Sequence, residues 1–225
     1  MSAALFDMDG TLVDREPLAA QALVEVFAAV NCSVGEDEIA RLHGRAWQDV
    51  HRELDVVANT GWSEADFIER VVGEARRLAA SGFPVRTLEG APELVRWLHE
   101  RGVALALVTG STGAEVVDAL APLGVLDLFT VVVSSEDYAH GKPAPDAYLH
   151  ALLHLGHEAN GAVAFEDSTA GVRAARAAGL RVVGTEGANP DPDHPAHQDL
   201  SEADLVVAHL ADDALREWLE VALVE

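Results

Sequence analysis

Near its start the chain reads "FDMDGT", which sets two carboxylates, Asp7 and Asp9, two residues apart behind the apolar run Ala3–Phe6 and ahead of Gly10. A turn accounts for one acid and the glycine but not for the second acid. In an extended segment residues i and i+2 face the same way, so both carboxylates aim at one point. Crowding of this kind pushes one carboxyl pKa upward. Three further stretches carry matching residue types: Thr109-Gly110-Ser111, Glu166-Asp167-Ser168, and "GKPAPD" with Lys142. Of 15 basic residues Lys142 is the single lysine, all the others being arginine. A calcium loop starting at Asp7 would need Asp or Asn at position 11, Gly at 12 and Glu at 18, where the chain has Thr11, Leu12 and Leu18. A P-loop needs Ser or Thr after its lysine, and Pro143 stands there.

Elements must bring these stretches together. Residues 3–7 read as a strand, and continuous apolar runs recur at 103–108, 130–134, 162–166 and 180–184, with "DLVVAHL" as a further strand. Such runs are the pattern of strands covered on both faces. Helical segments near 91–102, 114–121, 144–155 and 170–179 separate them, and "DDALREWLEVALV" closes the chain. Each crossover is long enough for a helix, which predicts a doubly wound parallel α/β sheet. Between Pro17 and Phe83 the pattern is helical only: "PLAAQALVEVFAAV", "AWQDVHRELDVV" as one helix, and "SEADFIERVVGEARRLAA". The expected organisation is an α/β core of residues 1–14 and 85–225, with an inserted helical domain of residues 15–84. Ligands of open parallel sheets bind beyond the carboxyl ends of the strands. Asp7, Thr109 and Glu166-Asp167 all fall at such ends, and Lys142 opens a helix after another, so three or more carboxylates, a hydroxyl and the lysine converge on one rim.

Composition narrows the function. The net charge of −23 argues against nucleic-acid or anionic-membrane partners. No apolar run approaches the roughly 18 residues of a membrane span, and the N-terminus lacks a basic, signal-like region. One cysteine, Cys32, excludes an internal disulfide framework and points to a cytoplasmic location; it reads as a small filler between helices. "HPAH" at 194–197 reads as a solvated loop, His99, His150, His154 and His157 as helix surface, and Trp97 and Trp218 as partly buried helix faces. Glu166-Asp167 also reads as an N-cap for the helix that follows.

Taken together, "DMDGT" (7–11), "VTGS" (108–111), "GKPAPDAY" (141–148) and "FEDSTAG" (165–171) resemble the haloacid dehalogenase superfamily of aspartate-nucleophile phosphohydrolases, in order and spacing across nearly the whole chain. The helical insertion resembles the family's small cap. The resemblance implies Asp7 as the nucleophile that forms an aspartyl-phosphate, and Asp9 as the acid and then the base. It implies Mg2+ held by Asp7, the carbonyl of Asp9 and Asp167, with Glu166 close by. Lys142 would bridge the nucleophile and the phosphoryl oxygens, while Thr109, Gly110 and Ser111 hold the remaining oxygens.

Departures within the family favour a phosphatase of small sugar or polyol phosphates. Dehalogenases lack the second acid, whereas Asp9 is present; phosphonate-cleaving relatives use a cap lysine, and this insertion has none. β-Phosphoglucomutase-like relatives carry a histidine shortly after the first motif, where this chain aligns Ala19. The mutase, a phosphoglycolate-type phosphatase and a non-catalytic phosphate-binding protein are the rival readings. "RLHGRAWQDVHREL" resembles the cap segment of sugar- and polyol-phosphate phosphatases, so His43, Gly44 and Arg45 are candidate substrate contacts. Arg45 has the alternative of a surface salt bridge, and Trp47 reads as cap core. The expected partner is a small phosphorylated metabolite and the expected state a monomer, with cap hinges near 13–17 and 81–86.

Overall fold

The computed structural model describes the whole chain apart from His43, Gly44, Ala46 and Glu225 and the side chains of Leu223 and Val224. The first strand, β1 (Ala3–Phe6), is wholly buried and rich in small residues. Val13–Asp14 (β2) and Arg86–Thr87 (β3) form a separate two-stranded sheet. Between them run five helices: α1 (Glu16–Ala28), α2 (Glu36–Leu42), α3 (Trp47–Glu53), α4 (Val56–Thr60) and α5 (Glu64–Ala80). Strand and helix then alternate as α6 (Ala91–His99), β4 (Ala104–Val108), α7 (Gly113–Leu120), β5 (Val131–Val133), α8 (Asp146–Leu155), β6 (Ala162–Glu166), α9 (Thr169–Ala177) and β7 (Arg181–Thr185). Leu205–Val207 (β8) and Asp213–Val224 (α10) complete the chain. No helix of the described residues is long and apolar enough to cross a membrane.

Six strands make one sheet in the order β5-β4-β1-β6-β7-β8, every neighbouring pair parallel. Leu5 stands opposite Ala106 on one side and Ala164 on the other. Successive strands leave β1 toward β5 and then restart on its opposite side at β6. That reversal opens a crevice at the carboxyl end of β1, flanked by the ends of β4 and β6. Small residues in the central strands let α8 and α9 approach closely: Leu5, Ala106 and Ala164 pack with Tyr148, Ala151, Val172 and Ala175 in one core. On the alternate positions Phe6 and Phe165 stack at 4.3 Å, with Phe129 edge-on to Phe6, an arrangement worth about 1 kcal/mol beyond burial.

By density of contacts the chain divides into two compact units: residues 1–14, 87–192 and 197–225, and residues 15–86 with 193–196. The helical unit has its own core, in which Leu18, Ala22, Leu23, Val26 and Phe27 of α1 meet Phe67, Val71 and Leu78 of α5. Ser63 starts α5 with a reciprocal capping box to Asp66. The segment expected as a single helix over 46–57 is two, because Asp55 adopts a left-handed backbone (φ 45°, ψ 49°) that ends α3 and begins α4. Aspartate tolerates that conformation better than most side chains. Trp47 sits edge-on to Phe67 against this core, and half-buried Cys32 lies beside it.

Candidate active site

The two acids of the first motif are not on the strand. β1 ends at Phe6, and the carbonyl of Met8 then accepts from both Leu12 and Val13, so a turn closes over Met8–Val13 directly after Asp7. Gly10 makes the turn possible with φ at +83°, and a Cβ there would also stand 1.8 Å from Oδ2 of Asp167. Asp7 remains tied to the sheet through its amide, which donates to Phe165 O at 3.0 Å.

Lys142 organises what lies above that turn. Its ammonium donates to Asp7 Oδ1 at 2.5 Å, to Glu166 Oε1 at 2.6 Å and to Val108 O at 3.3 Å, using all three protons. The lysine does not open a helix as expected: it sits in a turn, and α8 begins four residues later at Asp146. Pro143 and Pro145 exclude an earlier helical start by restricting the residues before them. Glu166 is fully buried, and its two oxygens are occupied. Oε1 also accepts from the Tyr148 hydroxyl at 2.6 Å, and Oε2 accepts from the Asp167 amide and the Ser168 hydroxyl, each at 3.2 Å. Nor does the Glu166-Asp167 pair cap α9. Ser168 is the N-cap: directly before Thr169 it has an extended backbone (φ −117°, ψ 145°), and its hydroxyl accepts from the Gly171 amide at 3.0 Å.

The remaining predicted residues fall around this centre. Thr109 is buried, and its Oγ1 accepts from the Ser111 amide at 3.0 Å. Ser111 Oγ donates to Asp9 Oδ2 at 2.9 Å. Arg45, in the helical unit, forms an ion pair with Glu53, while His43 and Gly44 lie outside the described residues. The "HPAH" stretch is held by its own loop, Asn189 and Gln198 exchanging hydrogen bonds at 2.9 Å.

Electrostatics set the character of the centre. Burial pushes the Asp7 carboxyl up to about 8; Glu166 and Asp9 add to the push and Lys142 opposes it. Burial, with Asp7 and Glu166 beside it, also drives Asp167 well above the ordinary carboxylate range. The upward shift expected from crowded acids thus falls on Asp7 and Asp167. Lys142 is held well above the usual lysine value: burial works against its charge, but Asp7 and Glu166 outweigh burial. Lys142 bonds to two of the three clustered acids, Asp7 and Glu166, and leaves Asp167 beside them, an arrangement that favours a further cation.

The donor set fits a hard divalent ion. Carboxylate oxygens of Asp7, Glu166 and Asp167 all lie within 4.8 Å of one another, the one such cluster among the described residues. Glu166 is saturated, whereas Asp7 Oδ2 and both Asp167 oxygens accept no hydrogen bond among the described residues.

Two glycines quoted within the motifs, Gly10 and Gly171, are structural requirements of this site. Gly10 clears Asp167, and a Cβ on Gly171 would lie 2.0 Å from the Glu166 carboxyl. We expect Gly171→Ala to push Glu166 off Lys142, costing about 1–3 kcal/mol of stability, read by thermal melting, and about tenfold or more in turnover. An active, equally stable variant would show that Glu166 has room to retreat.

The parallel sheet thus gathers a cluster of acids, a hydroxyl and the single lysine at its strand ends. Residues 4–185 match the model of the haloacid dehalogenase-like hydrolases, and the chain belongs to that family. It is similar to protein CbbY of Rhodobacter capsulatus, 38% identical over 198 residues that cover 81% of this chain and 84% of that protein. Fructose-1-phosphate phosphatase YqaB of Escherichia coli is 30% identical over 182 residues, covering 80% and 93%. Among solved structures, a variant of CbbY from Rhodobacter sphaeroides in complex with xylulose-(1,5)bisphosphate superposes with a TM-score of 0.80 at 27% identity, covering 94% of this chain and 96% of that one.

Proposed function

We propose that the chain is a cytoplasmic, monomeric, Mg2+-dependent phosphatase that hydrolyses a small sugar or polyol phosphate through an aspartyl-phosphate. The observation that carries this reading is Lys142, half-buried and bound at once to Asp7 and Glu166 at the carboxyl edge of the sheet. In the first step an oxygen of Asp7 forms a bond to phosphorus as the bond to the leaving oxygen breaks. Asp9 supplies the proton that oxygen takes up. Its Oδ2 accepts from the Ser111 hydroxyl, which orients the carboxyl for that role. In the second step Asp9 removes a proton from water as the water oxygen bonds to phosphorus, and the phosphorus–Asp7 bond breaks to release phosphate. Lys142 balances charge on Asp7 and the transferring group, and Thr109 and the Gly110 amide hold phosphoryl oxygens. Asp7, Asp167 and the Asp9 carbonyl would hold Mg2+, which supplies positive charge against the phosphoryl oxygens and keeps Asp7 ionised; Glu166 anchors Lys142 from behind. Substrate choice is assigned to the helical residues 15–84, in which Arg45 pairs with Glu53.

The names of the relatives support a sugar-phosphate substrate, and Ala19 speaks for hydrolysis over isomerisation. The test is phosphate release from a panel of sugar, polyol and glycolate phosphates. Release is expected with Mg2+, is lost in EDTA and returns when Mg2+ is restored. Conversion of β-glucose 1-phosphate to an isomer without free phosphate would replace the phosphatase by a mutase.

A further inference from the structure

Two successive carbonyls at the end of β4 are each held by a donor from the stretch that follows β5. Val108 O accepts from Lys142, and Thr109 O accepts from the phenol of Tyr138 at 3.0 Å. The same stretch grips the rest of that turn. The Ser135 amide donates to Ser111 O at 2.9 Å, and the Gly113 amide to the Glu136 carboxylate at 3.1 Å. The bracing stretch is itself stiffened, since the amide and hydroxyl of Ser134 donate to Asp137 Oδ2 at 2.8 and 2.7 Å. The half-buried Tyr138 ring packs against the core that contains Val133 and Tyr148.

Thr109 C=O and Gly110 N–H belong to one planar trans peptide, so they point in opposite directions. Whatever fixes the carbonyl fixes the amide. Among the described residues the Gly110 amide has no hydrogen-bond acceptor, although its neighbours Thr109 and Ser111 both donate. With no side chain on Gly110 to resist rotation, this peptide is the one in the turn that most needs an external hold. A flipped peptide would present an oxygen to an anionic group and lose the donor.

We infer that Tyr138 is a positioning residue, whose hydroxyl locks the Thr109–Gly110 peptide so that the Gly110 amide stays aimed at a phosphoryl oxygen. The inference rests on the reading that the Gly110 amide holds such an oxygen. Preorganised donors of this kind act on the transition state more than on the bound substrate, because charge builds on the oxygens as phosphorus becomes five-coordinate.

Tyr138→Phe keeps the ring and its packing and removes only the hydroxyl. Losing an oxyanion donor outright costs about a hundredfold or more, so losing its alignment should lower kcat about tenfold, with KM changed less than about twofold. Inhibition by orthovanadate, a five-coordinate mimic, should weaken by the same factor, while the thermal midpoint and the Mg2+ dependence stay at their wild-type values. An active wild type beside a Phe variant with unchanged kcat and unchanged vanadate inhibition would overturn the role of Tyr138 and leave the phosphatase reading standing. A loss carried by KM alone would overturn it too. A wild-type protein that releases phosphate from nothing in the panel removes the phosphatase reading, and this inference goes with it.

Discussion

Asp7→Asn should cut phosphate release by at least about ten-thousand-fold, with the fold intact. The amide matches the carboxylate in shape, so Lys142 keeps a partner at the same place, and Glu166 and Val108 hold its other two protons. What disappears is the one carboxylate, besides saturated Glu166, that Lys142 touches among the described residues. Trapping of a phosphoenzyme should fail in the variant and succeed in the wild type; retained turnover would remove Asp7 from the role of nucleophile. Stability gives an independent check without metal. The Asp7 carboxyl has an ordinary value of 3.8 and stands near 8 in the folded protein, so folding binds its proton more tightly than the unfolded chain does. That contribution to stability is full below 3.8 and is lost as pH rises toward 8. In EDTA, therefore, the wild type should lose melting temperature between pH 5 and 8 more steeply than Asp7→Asn, which stays neutral throughout. A steeper fall in the variant would contradict the burial account of the shift.

The alternation of strands and helices was legible because both faces of the sheet are covered, and continuous apolar runs such as Ala104–Val108 then leave little ambiguity. The break at Asp55 was not, since a single residue in the left-handed region carries it and the flanking apolar spacing continues across. The rim residues were visible as types: Asp7, Asp9, Thr109, Lys142 and Asp167 all stand at the carboxyl edge of the sheet. Their division of labour was less so. That Glu166 anchors Lys142 depends on Tyr148, 18 residues away in the chain, and no spacing rule links a phenol on α8 to an acid ending β6. Gly10 and Gly171 were quoted within their motifs, but the carboxylates that would collide with a Cβ there arrive from β6 and its following turn. Tyr138 sits in a loop with no periodicity, and only its packing on the core and its hydrogen bond to Thr109 distinguish it from a surface tyrosine.

Lys142 has the second largest expected effect, and the choice of replacement makes the test sharp. Lys142→Met removes the charge and leaves the buried carboxyls of Asp7 and Glu166 facing each other. Breaking a buried pair from one side costs about 3–5 kcal/mol, so melting temperature should fall and turnover should drop by about a thousandfold or more. Lys142→Arg keeps the charge, and a reading of this position as a simple counter-ion predicts rescue. The geometry predicts otherwise. Three acceptors, Asp7 Oδ1, Glu166 Oε1 and Val108 O, surround one nitrogen, which suits a compact ammonium with three diverging protons. A planar guanidinium cannot place three protons from one nitrogen toward three directions, and the Tyr148 ring, 5.4 Å from the ammonium, crowds the larger group. Lys142→Arg should therefore recover part of the lost stability but little of the turnover. Equal recovery of both would reduce Lys142 to a point charge and dissolve the argument that this chain's one lysine is there for its shape.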